Sequence, residues 1–196
     1  MNMYQTPIKA IVGLGNPTPQ FHQTRHNIGH TCVDLLASQK SLTFLTGQFL
    51  DVVEWRLPER TIILGKSRTY MNQSGSAILR LMAKYNVAPK EITIVYDDMD
   101  LPLGKLRIKK QGGSGGHRGL GSIIDTVGTN DFPRLRLGIG HPVKDDPVDH
   151  VLGLFTKKEI KCVDQIVQLG AEALDSMCSY GIDVAMNRYN GEEVTQ

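Results

Sequence analysis

Four polar residues in this chain are of types that can move a proton or orient the group that does, and they stand where a fold can gather them: Asn16, His26, Asn72 and Asp97, the first carboxylate of the Asp97-Asp98 pair. An imidazole has an unperturbed pKa of roughly 6.5, so it is near neutral at cellular pH. A carboxylate on one ring nitrogen would fix its tautomer and leave the other nitrogen free to take a proton from water. Neither a serine nor a cysteine stands in a nucleophile motif, which makes direct attack by water the simpler chemistry. Asn16 and Asp97 each follow an apolar, strand-like run. In open α/β sheets, ligands gather outside the carboxyl ends of parallel strands. If those two strands are parallel neighbours, amide, carboxylate and imidazole converge; if not, His26 is a polar residue near a helix start. Asn72 likewise has two readings, as a helix N-cap or as a group that orients a water or a substrate carbonyl.

Other chemistries fit less well. Gly13-Leu14-Gly15 after a strand invites a dinucleotide-binding loop. However, Thr18 stands where that fingerprint needs its third glycine, and Pro17 and Pro19 keep the chain extended and remove amides. Gly65-Lys66-Ser67 looks like the end of a phosphate-binding loop, but Arg60 occupies the place of its first glycine. His22, His26 and His30 are spaced by four, which on a helix would align three imidazoles toward a metal. The proline-rich lead-in argues against helix at His22, and no metal or other cofactor is expected.

Positive charge is clustered even though the formal net charge is only +2. Lys105, Arg107 and Lys109 alternate with Leu106 and Ile108, which on a strand puts the cations on one face and the apolar pair on the other. Lys110 and Arg118 extend the patch, and Arg134 and Arg136 repeat the device. Such a face is either a solvated sheet surface or a track for a phosphate backbone, each neutralised phosphate adding salt-dependent affinity. The glycine loop from Gly112 to Gly116, ahead of a helix start, could also offer amides to a phosphate.

These residues need elements to hold them. Residues 8–14 read as a buried strand ended by Gly15-Asn16-Pro17, and residues 28–39 as a helix capped by Asn27 or Thr24. Strands follow at 50–55 and 61–64 across a Pro58-Glu59 turn, then a helix at 73–86 and a strand at 92–96 that runs into Asp97. Beyond the basic strand at 105–109 come a helix at 117–127 and a strand at 134–139. Thr156-Lys157-Lys158-Glu159 has capping-box form ahead of a long helix to about Tyr180, and a short helix follows at 183–188. The alternation and the close strand pairs indicate an α/β fold: one compact domain, residues 1–196, with a twisted mixed sheet flanked by helices. Cys32, Cys162 and Cys178 lie far apart and read as reduced packing thiols. The N-terminal MNMYQTPIK has no apolar signal core, and no apolar run approaches the ~20 residues of a membrane span. The expected location is the cytoplasm.

The stretches IVGLGNP, TRHNIG, TYMNQSG, DDMDLPLGKLRIK, GGSGGHRGLGSI and RLRLGIGHP, in this order between residues 11 and 142, resemble bacterial-type peptidyl-tRNA hydrolase. The resemblance implies hydrolysis of the ester joining a stalled peptide to the 3′-terminal ribose of its tRNA. By position it implies that His26 is the general base, that Asp97 orients it, and that Asn16 helps distinguish peptidyl-tRNA from free aminoacyl-tRNA. Asn72 would bind near the ester and the reacting water. Phe21, Tyr70, Met71 and the loop at His117-Arg118 would line the cleft, and peptidyl-tRNA would be the partner of a monomer. Arg118 stands where the family generally has Asn; a guanidinium can reach a phosphate but cannot accept a hydrogen bond as an amide oxygen does. A non-catalytic RNA-binding protein on the same scaffold would keep the basic face without needing the base. A small-molecule hydrolase would need the base without the basic face.

Overall fold

The computed structural model describes residues 7–142 and 146–194. Residues 1–6, most of the N-terminal stretch read above for a targeting signal, lie outside them. Six strands form one sheet: β1 (Ala10–Gly13), β2 (Leu50–Leu57), β3 (Arg60–Ser67), β4 (Ile92–Asp98), β5 (Leu106–Lys109) and β6 (Arg134–Gly138). They lie in the order β2-β3-β1-β4-β6-β5. The inner four run parallel, and β2 and β5 pair antiparallel at the two edges. The sheet is therefore mixed, as expected, and β1 and β4 are parallel neighbours.

Period-two burial decides which helices cover which face. Ile11, Val95, Leu135 and Ile108 point to the side packed by α1 (Ile28–Gln39), α5 (Ile160–Tyr180) and α6 (Ile182–Tyr189). Val12, Ile94 and Tyr96 point to the side packed by α2 (Ser74–Tyr85) and α3 (Arg118–Val127). From β1 the chain crosses over α1 toward β2 and β3. After β4 it turns the other way, toward β5 and β6. The strand order thus reverses between β1 and β4, and the crevice at their carboxyl ends is where such sheets bind ligands. Close packing there requires glycine: a Cβ on Gly13 would lie 2.4 Å from Gly29 O, and one on Gly29 would lie 2.4 Å from Val95 O. The start of α1 is thereby seated against β1 and β4.

Four local expectations change. A short helix, α4 (Pro147–Leu152), was not anticipated. Its signal is Asp146-Pro147: the Asp146 side chain accepts the Val148 N–H at 2.8 Å, and a proline fits the first helical position. Pro19 does not extend the chain but opens a 3₁₀ turn, Pro19–Phe21, for the same reason. The capping box at Thr156 forms on its glutamate side, with the Thr156 N–H donating to Glu159 Oε2 at 2.6 Å. Neither Asn27 nor Thr24 caps α1 through its side chain; Thr24 Oγ1 donates to Phe21 O instead.

The outer edge of β5 is closed without another strand. Asn190 accepts the Ile108 N–H at 2.7 Å and donates back to Ile108 O at 3.1 Å, while Val194 N donates to Gly104 O at 2.9 Å. The three cysteines are buried and free, and burial pushes the Cys32 and Cys178 thiols up to about 12. Among the described residues, no helix is long and apolar enough to cross a membrane.

Candidate active site

Asp97, the last residue but one of β4, is buried, and its Oδ1 is shared by two imidazoles: His26 Nδ1 at 2.8 Å and His117 Nε2 at 3.0 Å. The tautomers follow from the partners. His117 is the N-cap of α3, and its Nδ1 accepts the Leu120 N–H, so its proton sits on Nε2 and points at Asp97. An ionised carboxylate only accepts, so His26 donates through Nδ1 and its Nε2 is left as a bare acceptor. Burial alone would push the Asp97 carboxyl up. The two imidazoles outweigh burial, by charge and by hydrogen bonding, and hold the group far below the usual carboxylate range.

His26 is the middle residue of a 3₁₀ turn, Arg25–Asn27, that leads into α1. Asn27 grips the backbone of Asn16 from both sides, accepting its N–H at 2.9 Å and donating to its carbonyl at 3.0 Å. The Asn16 side chain is fixed in turn: its Oδ1 accepts the Met71 N–H at 2.9 Å, which assigns the amide orientation and turns Nδ2 toward the cleft. Beneath this turn, Ser67 Oγ accepts the Gly15 N–H at 3.2 Å and donates to Gly15 O at 3.1 Å. With its one hydrogen spent, Ser67 Oγ also accepts from His30 Nε2 at 3.2 Å. The His30 ring fills the space a side chain on Gly15 would need.

These groups open onto a cleft of about 330 Å³. Asn16, His26, Asn72, Asp97, Phe21, Tyr70, Met71, His117 and Arg118 all line it, and α4 adds Pro147, Val148, Val151 and Leu152 as an apolar wall. Asn72 is not an N-cap; it lies inside the 3₁₀ turn Met71–Gln73, exposed and with no protein hydrogen bond among the described residues. Arg118 is the only Lys or Arg lining the cleft among the described residues.

The basic strand keeps its expected alternation, with Leu106 and Ile108 buried and Arg107 and Lys109 exposed. Lys105 and Lys110 are tied to Glu193 and Asp183. On β6 the device is used differently from the expectation. Arg134 is buried, donating to Gly113 O at 2.9 Å and Asn130 O at 3.0 Å over the Phe132 ring, so it braces the glycine loop rather than facing solvent. Arg136 lies opposite Arg107, but its guanidinium is engaged by Asp98. Sequence reasoning missed the supports Asn27, Ser67 and Arg25, and the part of His117 in holding Asp97. Asn27 touches only backbone through its side chain, and the groups that the Arg25 and Ser67 side chains bond lie at least 129 and 37 residues away, so neither pattern leaves a spacing signature.

The three histidines spaced by four do not gather. Among the described residues, the one cluster with metal-ligand spacing is His26, Asp97 and His117, whose ligand atoms lie within 4.8 Å of one another. Its geometry is that of two N–H donors on one carboxylate, not of three lone pairs converging on a cation.

A carboxylate-held imidazole at the switch point of a mixed α/β sheet is the architecture of a hydrolytic enzyme that can draw a proton from water. The family is more particular. A family model described as peptidyl-tRNA hydrolase matches residues 10–196, and the chain belongs to that family. A peptidyl-tRNA hydrolase of Sulfurihydrogenibium sp. (strain YO3AOP1) is 44% identical over 188 residues, covering 93% of this chain and 97% of its own. One from Pseudothermotoga lettingae is 45% identical over 188 residues, covering 95% and 99%. The crystal structure of peptidyl-tRNA hydrolase from Acinetobacter baumannii matches with a TM-score of 0.90 at 33% identity, covering 98% of this chain and 99% of that one.

The support beneath Asn16 has a pH signature. Burial of the ring, reinforced by the charge of Lys66, pushes His30 from 6.5 down to about 3. In that window the unfolded chain binds a proton that the folded chain refuses. The stability His30 contributes is therefore full above pH 6.5 and is lost as pH falls toward about 3. Urea unfolding of His30→Gln across that range should show a shallower acid limb than the parent chain. An equal slope would mean that His30 takes its proton freely in the fold.

Proposed function

We propose that His26 is the general base with which this peptidyl-tRNA hydrolase cleaves the ester between the peptidyl carboxyl and the terminal ribose of tRNA. The observation that carries the reading is the shared oxygen of Asp97: with both imidazole N–H groups spent on it, His26 Nε2 faces the cleft as a lone pair. A water held beside it gives its proton to Nε2, and its oxygen attacks the ester carbonyl carbon. The tetrahedral intermediate collapses by breaking the bond to the ribose oxygen, which takes the proton from Nε2. Peptide acid and free tRNA result, and the imidazolium formed on the way is stabilised by Asp97. Asn72, exposed and uncommitted, orients the water or the ester carbonyl.

Asn16 reads the acyl group. Its oxygen is occupied by Met71, so only N–H donors face the substrate. An N-acylated residue presents a carbonyl acceptor to them, whereas a free α-ammonium presents only donors and finds no partner. Buried groups left unpaired by the wrong substrate are an effective basis for discrimination.

Arg107 and Lys109 on β5, with Lys105 at its start, face the phosphate backbone of the tRNA, and Arg118 meets a phosphate at the cleft mouth. Arg136 contributes by fixing Asp98 beside that mouth. We read the working unit as a monomer of one domain, residues 1–196, in the cytoplasm; two apolar clusters packed on the two faces of a single sheet support one domain. The reaction as written takes water as its only co-substrate.

Release of N-blocked amino acid from tRNA, beside an unblocked control, tests the reading. His26→Ala should lower turnover by about 10²–10⁴-fold with tRNA affinity little changed; near-normal turnover would remove the base from His26. Asn16→Asp supplies an acceptor that an α-ammonium can use. It should narrow the preference for the blocked substrate by about tenfold or more, and an unchanged ratio would move discrimination elsewhere. Replacing Arg107 and Lys109 together by Gln should weaken tRNA binding and flatten its log–log salt dependence by about 2. An unaltered slope would place the tRNA on another face.

A further inference from the structure

Arg25, beside the base in sequence, makes contacts that the reaction as described leaves unused. It is only 8% exposed. Its guanidinium donates from Nη1 to Leu154 O at 2.5 Å and from Nη2 to both carboxylate oxygens of Glu159, at 3.1 and 2.9 Å. The same group lies 4.9 Å from the centre of the Phe155 ring. The Arg25 N–H donates to Gly153 O at 3.0 Å, and Thr24 bridges to Leu154. Every one of these partners lies in the connection that leaves α4, the helix whose Val148, Val151 and Leu152 form the apolar wall of the cleft. On the other side of His26, Asn27 grips Asn16. The base is therefore held between two anchors, one on the polar wall and one on the segment that follows the apolar wall.

We propose that Arg25 is a positioning residue that sets the gap between His26 and the apolar wall of α4, and through that gap the size of acyl side chain the cleft accepts. A planar fork suits the task. Its bonds to one carbonyl and two carboxylate oxygens specify direction as well as distance, which the point charge of a lysine does not. Glu159 gives the fork a fixed target, because its Oε2 also takes the Thr156 N–H at the approach to α5. The long helix α5 thus serves as the datum from which the width of the cleft is measured. An apolar side chain could fill the same volume, but it would leave α4 free to shift along the turn.

The proposal rests on the hydrolase reading, which cleavage of any N-blocked aminoacyl-tRNA by the unaltered chain tests by itself. Its own test uses one tRNA carrying either N-blocked glycine or N-blocked phenylalanine, with thermal unfolding measured in parallel. Arg25→Lys shortens and blunts the fork. Glu159→Gln removes its charged target while keeping an acceptor for Thr156, and it carries the test should Arg25→Lys not fold. Each variant should change the glycine-to-phenylalanine ratio of kcat/KM by roughly tenfold, with the change residing in KM. The double variant should change it no further than Arg25→Lys alone, because both act through one contact. A lowered Tm with an unchanged ratio would reduce the contact to a structural tie and overturn the proposal.

Discussion

Burying the Asp97 carboxylate is unfavourable until both imidazoles donate to it, and three separate elements must arrive before they can. β4 delivers the carboxylate, the turn before α1 delivers His26, and the cap of α3 delivers His117. The one oxygen they share sets both tautomers, so the chemical state of His26 follows from the assembly of the fold. Close seating makes that assembly possible: Gly13 and Gly29 let α1 approach the sheet with no side chain between them. Nothing in this arrangement depends on an unusual residue. It depends on a buried acceptor that has to be satisfied twice.

Charge is divided between two regions with different duties. Within the cleft Asp97 is committed to the imidazoles and Asp98 to Arg136, while Asp100, also in the lining, is exposed. Outside it, exposed cations follow β5. Between the two, Arg134 is spent on the carbonyls of Gly113 and Asn130, which shapes the glycine loop before α3. The loop then turns through left-handed conformations at Gly115 and Gly116, and Arg118 opens the helix at the rim of the cleft.

Much of this was legible from periodicity. Apolar runs ending in Asn16 and Asp97 marked two strand ends, and alternation along 105–109 marked a face. What alternation could not show was which cations the fold would use for itself. Arg134 and Arg136 read like Arg107 and Lys109, and only strand order reveals that β6 is flanked on both sides while β5 is at the edge. The short helix α4 escaped because six residues give too little pattern; its sole signal is Asp146-Pro147. Asn27 was read as a cap because that is the commonest use of an asparagine before a helix. Its grip on Asn16, eleven residues earlier, needs the β1–α1 loop to fold back first.

The manner in which β5 is closed bears on how the protein is made. Synthesis proceeds from the N-terminus, and Asn190 lies 82 residues beyond Ile108, the residue it seals. Until that stretch has emerged, the outer N–H and C=O groups of β5 stand open to any strand that meets them, including the same strand of a neighbouring nascent chain. Arg107 and Lys109 stand on one face of that edge strand. Two such edges approaching each other would bring like charges together, which disfavours the pairing. Exposed cations on an edge strand thus disfavour its pairing with a second copy of itself.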